Sequence, residues 1–301
     1  MLSPATGAVF GMHHGHVSSK WRPAHRETFL LAENGGRQPA PVALPSTFDW
    51  RNVDGVNYVT FDVNQHLPKY CGSCWVHGTV SALNDRIKIQ RRAKFPDVML
   101  SRQALMNCVP ASPMNGSQKA LLAAAQAPPP GCDGGDPWMI HEYMQRVPIP
   151  DETCQPYEAQ NQACNALGMC RNCFPEAVPG APLAGGCWPI TSYISYGVVE
   201  YGSVRGESNM MREIFRRGPI VCSIAADIRL LFNFSAAAAA NEGVYSDPIK
   251  HGPEEVDHDV SVTGWGVTAS GVQYWIVRNS WGTYLMRSIT LAQSSMISRW
   301  R

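Results

Sequence analysis

The chain has 301 residues, 45% of them hydrophobic and 16% charged, with a formal net charge of +1 at pH 7. That length and apolar content suffice for one or two compact domains and exclude a disordered chain. A near-neutral balance without a long basic run argues against a nucleic-acid partner or an anionic membrane surface, and no apolar run approaches the roughly 20 residues of a bilayer-spanning helix.

Residues 1–43 carry scattered Gly and Pro, no helical or strand period, and the trio His13, His14 and His16, which lacks the Cys or carboxylate partners of a metal site. They read as an extension or pro-segment. Met1 to Phe10 holds neither a basic n-region nor an apolar core of signal-peptide length, so the true start is expected to be missing or altered. From Leu44 the texture changes and the main domain, residues 44–282, begins.

The stretch Gln65-His66-Leu67-Pro68-Lys69-Tyr70-Cys71-Gly72-Ser73-Cys74-Trp75 precedes a predicted helix in which Val76, Val80, Leu83 and Ile87 recur on one face. Cys74 therefore falls at a helix start, where unpaired N–H groups and the positive dipole end favour a thiolate. Ser73 is the expected N-cap. By itself Cys71-x-x-Cys74 also admits a thioredoxin-like pair, half a zinc site or two ordinary disulfide cysteines.

Leu100 to Cys108 reads as a short capped helix, and Ala120 to Ala127, ending in three prolines, as a loop insertion. In Cys132-Asp133-Gly134-Gly135 two glycines follow a cysteine, where backbone can approach a ligand closely. Five cysteines between Cys154 and Cys187 lie among Pro and Gly, a stapled loop region. Ten cysteines in all, with the acceptor sequons at Asn115 and Asn233, point to an oxidising route, lysosomal or secreted.

Towards the carboxy terminus, His258–Gly266 and Val272–Arg278 read as the two strands of an antiparallel hairpin. Pairing centred on Thr268 and Ala269 puts His258 opposite Asn279, give or take a residue or two. An imidazole can take a proton from a thiol, and a carboxamide can fix the ring, so Cys74, His258 and Asn279 are the candidate catalytic set. No two-His metal motif or Gly-rich phosphate loop competes, and neither a metal nor a cofactor is expected.

These motifs resemble the papain-like cysteine peptidases. Cys71-Gly72-Ser73-Cys74-Trp75 matches that family's nucleophile signature, Asp257-His258 and Asn279-Ser280-Trp281-Gly282 its His and Asn motifs, and Cys132 to Gly135 its substrate-binding turn. The resemblance implies an α+β, two-domain fold: a helical left domain over roughly residues 60–165, an antiparallel β-barrel-like right domain over roughly 185–282, and the active-site cleft between them. It implies Gln65 at the oxyanion hole, Gly72, Gly134 and Gly135 along the substrate, and Trp281 shielding the His258–Asn279 contact. It also implies the disulfides Cys71–Cys132, Cys108–Cys164, Cys154–Cys170 and Cys173–Cys187, with Cys222 left over.

Within the family the chain is similar to the cathepsin X (cathepsin Z) branch. Gln65 stands nine residues before Cys74 where other members have six, which implies an inserted mini-loop, His66-Leu67-Pro68. A protonated His66 there would bind a substrate's free carboxylate, which implies carboxypeptidase action on peptides and proteins with a free carboxy terminus, by a monomer. A papain-like endopeptidase and a non-catalytic binding module are the alternatives. Thr283 to Arg301 lacks the family's closing pattern and is expected to be a divergent tail that leaves an inner strand edge unpaired.

Overall fold

The computed structural model describes residues 8–11, 43–111, 128–174, 186–226, 229–230, 234, 239, 241–249, 255–283 and 289–292. Asn115, Asn233, the amino-terminal histidine trio and Ala120–Ala127 lie outside them. In chain order the elements are β1 (Ala8–Gly11), β2 (Phe48–Asp49), α1 (Cys74–Gln90), α2 (Arg102–Cys108), α3 (Pro137–Arg146), α4 (Ala166–Met169), β3 (Arg171–Phe174), β4 (Gly186–Pro189), β5 (Tyr196–Glu200), α5 (Glu207–Arg217), β6 (Ile220–Ile224), β7 (His258–Val267), β8 (Gln273–Arg278) and β9 (Ile289–Ala292).

Helix α1 is buried along most of its length, from Trp75 to Ile87, because both of its faces are covered. Val76, Val80, Leu83 and Ile87 join Leu105, Ile140 and Met144 in one core cluster with α2 and α3. The opposite face packs on β7. Contact there is close: a Cβ added at Gly78 would stand 2.9 Å from the Asp259 carbonyl oxygen, so only glycine lets helix and strand meet. Polar residues on the sheet side are paired across the junction. Arg278 of β8 reaches both carboxylate oxygens of Asp85 at 2.8 Å, and Arg86 bonds Glu213 of α5 at 2.9 Å, all four buried.

A second core lies in the β half, around Trp50, Ile214, Cys222, Val260, Val262, Trp265 and Val277. Its five-stranded antiparallel sheet runs β2-β7-β8-β9, with β6 also on β7. Strands β6 and β2 pair with different stretches of β7, residues 258–262 and 264–265. The β half is thus an open sheet among the described residues, not a closed barrel.

The expected divergent tail contributes to this sheet. Ile289–Ala292 pairs antiparallel with Tyr274–Val277, so the edge of β8 expected to be bare is hydrogen-bonded. At the other end of the chain, Ala8–Gly11, expected to carry no strand, pairs in parallel with β5. Four disulfides join Cys71 to Cys132, Cys108 to Cys164, Cys154 to Cys170 and Cys173 to Cys187, all before β5; Cys74 and Cys222 are free thiols.

Candidate active site

Cys74 opens α1, and the Trp75 backbone on the helix's first turn lowers the proton affinity of its sulfur. Across the junction the same sulfur lies 4.0 Å from the Asp257 carbonyl oxygen, and the Asp259 backbone lowers its proton affinity. These two residues flank His258, so the close packing of α1 on β7 sets the thiol against the strand position that carries the imidazole. The helix start anticipated for Cys74 is present, but Ser73 does not cap it: its hydroxyl goes to Tyr157 Oη at 2.8 Å instead. Tyr157 Oη in turn donates to the Gln65 carbonyl at 2.6 Å, which ties the segment before the nucleophile to the helical half.

His258 Nε2 and Asn279 Oδ1 are 2.7 Å apart, and the imidazole is buried beneath the Trp281 ring, 4.6 Å between centroids. Asn279 is not opposite His258 in the ladder. Ser261 pairs with Arg278, and His258 pairs with Ile224 of β6. The turn at Thr268–Gly271, with Gly271 at φ 89°, sits later than the expected centre, and a bulge between Val262 and Gly264 shifts the register again. The two side chains meet from beyond the end of their pairing, so the contact survives a register different from the predicted one. With Nε2–H assigned to Asn279 from this network, Nδ1 is the imidazole nitrogen left for another partner.

Burial dominates the proton affinities here. It pushes the Cys74 thiol up to about 12, with Asp259 and Asp257 adding to the rise, and it lowers His258 to about 4 against the opposing bond from Asn279. Each group alone is held neutral. Two opposite charges formed together, by a proton passing from sulfur to imidazole, are disfavoured less than either charge alone.

Gln65 is buried and fixed at both ends of its amide. Its Nε2 donates to the Cys71 carbonyl at 3.0 Å, and its Oε1 accepts from the Ser280 hydroxyl at 2.6 Å. Ser280 also shares a backbone bond with Gln65 at 2.8 Å and donates its own N–H to Asn279 Oδ1 at 2.7 Å. This serine physically couples the Gln65 segment to Asn279, and sequence reasoning assigned it no role; an ordinary Ser inside a motif gives no signal of its partners. One N–H of the Gln65 amide makes no hydrogen bond among the described residues.

In the mini-loop, His66 stacks on Tyr70 with rings 4.8 Å apart and 6° from parallel, and its Nδ1 is sheltered without a hydrogen-bond partner. Partial burial lowers its pKa, so the cationic form expected for it belongs to acid pH or to a ring already facing an anion. Gly72 donates to the Cys132 carbonyl at 2.9 Å, and an added Cβ would stand 2.6 Å from that oxygen. Gly134 has φ 94°, and Gly135 lies under the Trp75 indole, where a Cβ would come within 2.5 Å of the ring. The glycines expected along a substrate are thus also what lets the turn lie flat on α1. Among the described residues no group of His, Cys, Asp and Glu is arranged to hold a metal, and no helix is long and apolar enough to cross a membrane.

The profile of the papain family cysteine proteases matches residues 44–288. The chain is 39% identical over 241 residues to cathepsin Z of Onchocerca volvulus, covering 80% of this chain and 67% of that protein. It is 28% identical over 246 residues to cathepsin L of Sarcophaga peregrina, where it spans 57% of the relative's length. Among solved structures, digestive procathepsin L 3 of the Tenebrio molitor larval midgut matches with a TM-score of 0.59 at 21% identity, over 99% of this chain and 74% of that one. The bromelain protease of Ananas comosus in complex with the E64 inhibitor matches with a TM-score of 0.53 at 22% identity, over 85% and 94% respectively. At those identities the two structures speak for the fold alone.

Proposed function

Because the chain belongs to the papain family of cysteine proteases, we propose that it is a cysteine carboxypeptidase that removes single residues from the carboxy termini of peptides and proteins. The observation that carries the peptidase reading is the 4.0 Å approach of Cys74 Sγ to the carbonyl of Asp257, the residue before His258, whose ring Asn279 holds. Cys74 gives its proton to His258 Nδ1 and attacks the scissile carbonyl. The free N–H of Gln65 and the Cys74 backbone N–H face the oxyanion. His258 then protonates the leaving amine, and water hydrolyses the thioester. Asn279 keeps the ring's tautomer and orientation, and Trp281 excludes water from that contact. Gly134 and Gly135 offer backbone to the acyl side of the substrate.

The carboxypeptidase step of the reading rests on the mini-loop. His66 follows Gln65 directly, its Nδ1 has no partner in the protein, and a substrate carboxylate would supply one and favour the imidazolium. The four disulfides support a lysosomal or secreted setting. Endopeptidase action is the second reading, favoured by the exposure of Leu67 (60%) and Tyr70 (80%), which a protein substrate can displace.

Product masses from paired peptides, identical except for a free or amidated carboxy terminus, test both. A carboxypeptidase leaves a ladder of single-residue losses from the free acid and little from the amide. Internal fragments from both peptides overturn the carboxypeptidase reading. Turnover that survives in Cys74→Ser overturns the thiol mechanism.

A further inference from the structure

The two donors aimed at the oxyanion, the Gln65 amide and the Cys74 backbone N–H, come from segments separated by the inserted mini-loop. A chain of side-chain hydrogen bonds with no part in the proposed mechanism joins those segments. Tyr157 Oη donates to the Gln65 carbonyl at 2.6 Å. A phenol has one proton, so its second contact, with Ser73 Oγ at 2.8 Å, is one in which serine donates. The Ser73 oxygen then accepts from His77 Nδ1 at 3.2 Å, and the same Nδ1–H reaches the Ser73 carbonyl, which can only accept, at 3.0 Å. Every donor in the chain points the same way, from His77 through Ser73 and Tyr157 to Gln65.

We propose, on the peptidase reading, that Tyr157 is a positioning residue for the oxyanion hole: bonded to Ser73 at one side and to the Gln65 carbonyl at the other, its hydroxyl fixes the spacing of the two oxyanion donors. Ser73 directly precedes Cys74 and is rigid with α1, since its carbonyl accepts from the backbone N–H groups of Val76 and His77, both at 3.0 Å. Of the four bonds that hold Gln65, two go to Ser280, one to the Cys71 carbonyl and one to Tyr157. The Tyr157 bond is the one that ties the Gln65 backbone to the helical half. It also orients the Gln65–His66 peptide unit, whose other end, the His66 N–H, donates to Asn64 Oδ1 at 2.9 Å.

The tyrosine is itself held in place. The Ser101 hydroxyl donates to the Gln155 carbonyl at 2.7 Å, and the Glu158 N–H donates to Gln103 Oε1 of α2 at 2.9 Å, so the loop on both sides of Tyr157 is anchored to α2 and its cap. The His77 ring meets the Tyr157 ring edge-on, 4.6 Å between centroids. Burial lowers the His77 pKa well below its ordinary value and raises that of Tyr157, so the imidazole stays neutral and the phenol keeps the proton it donates. Aligned donors in a buried chain polarise one another, which strengthens the last bond, the one on Gln65.

Two reactions of Cys74 separate positioning from general damage. Peptide cleavage develops an oxyanion. Alkylation by iodoacetamide does not, because the thiolate forms the S–C bond as iodide leaves and no carbonyl is attacked. In Tyr157→Phe, kcat and kcat/KM on whichever paired peptide the wild type cleaves are expected to fall together by about tenfold, less than the roughly 100-fold of losing an oxyanion donor outright. The alkylation rate of Cys74, followed by peptide mass with Cys74→Ser as the blank, is expected to stay at the wild-type value. In a Gln65→Ala background Tyr157→Phe is expected to cost no further activity, since it acts through Gln65. Ser73→Ala cuts the same tie at its other end and is expected to show the same selective loss to a smaller extent. Cleavage at the wild-type rate by either variant overturns the tie, as does a loss that appears equally in alkylation or persists undiminished beside Gln65→Ala; all three leave the peptidase reading intact. A wild type that takes the label at Cys74 but cleaves neither peptide overturns the peptidase reading and the tie with it.

Discussion

The two halves of this molecule are held together by different means. Everything from Cys71 to Cys187 is stapled: four disulfides close loops separated by 61, 56, 16 and 14 residues along the sequence. The β half from β5 onward has none among the described residues, although Cys222 sits free at its centre. There the sheet ladders, the apolar cluster around Trp265 and Val277, and the ion pairs at the junction suffice. The difference follows from regularity. A continuous antiparallel sheet satisfies its own backbone and buries β6 and β7 almost throughout, while the loops between α3 and β4 have little regular hydrogen bonding and are closed covalently. The proposed pairing of a thiol from one half with an imidazole from the other makes the proposed function depend on both kinds of stability.

The sharpest way to break that arrangement is at the junction. Arg278→Ala leaves Asp85 buried without its cation, and chemical denaturation is expected to show a loss of about 3–5 kcal/mol. If the loss is below about 1 kcal/mol, the Arg278–Asp85 pair does not hold the halves together. Next in size is the longest staple. Replacing Cys71 and Cys132 together by Ser is expected to cost about 4 kcal/mol in the chain-entropy account, against about 3 for Cys173 with Cys187, and hydrogen exchange is expected to rise in α1–α3 before it rises in β6–β8. Equal exchange in both halves would remove the contrast. The smallest effect is expected at the one buried cysteine without a partner: Cys222→Ala forfeits packing only, about 1 kcal/mol, and leaves reductant sensitivity as in the wild type.

Much of the site is legible in sequence because its signals are local. A cysteine before an apolar period of three and four places Cys74 at a helix start, and two β-rich runs around a short link place His258 and Asn279 on one hairpin. What misled the register was equally local in origin but invisible in composition: a turn formed at Thr268–Gly271 and a bulge after Val262. Ser73 looked like a cap because small hydroxyl residues usually are; Tyr157, 84 residues away, competes for its hydroxyl and wins. Ser280 and Tyr157 gave no warning of their part in holding Gln65, since a hydrogen bond to a residue that distant leaves no periodic trace.

By itself, then, the order of residues marked which groups are candidates for the chemistry, which cysteines are available for pairing, and that helix precedes sheet. Only the folded chain decided that Gly78 lets α1 descend onto β7, that the thiol lands against the Asp257 carbonyl, that the tail returns as a strand on β8, and that Asp259 is enclosed. The division has one physical reason. Helix periods, caps and turns are set by interactions over a few residues, whereas burial, and with it the proton affinity of every group near Cys74, is a property of what packs around a residue from the rest of the chain.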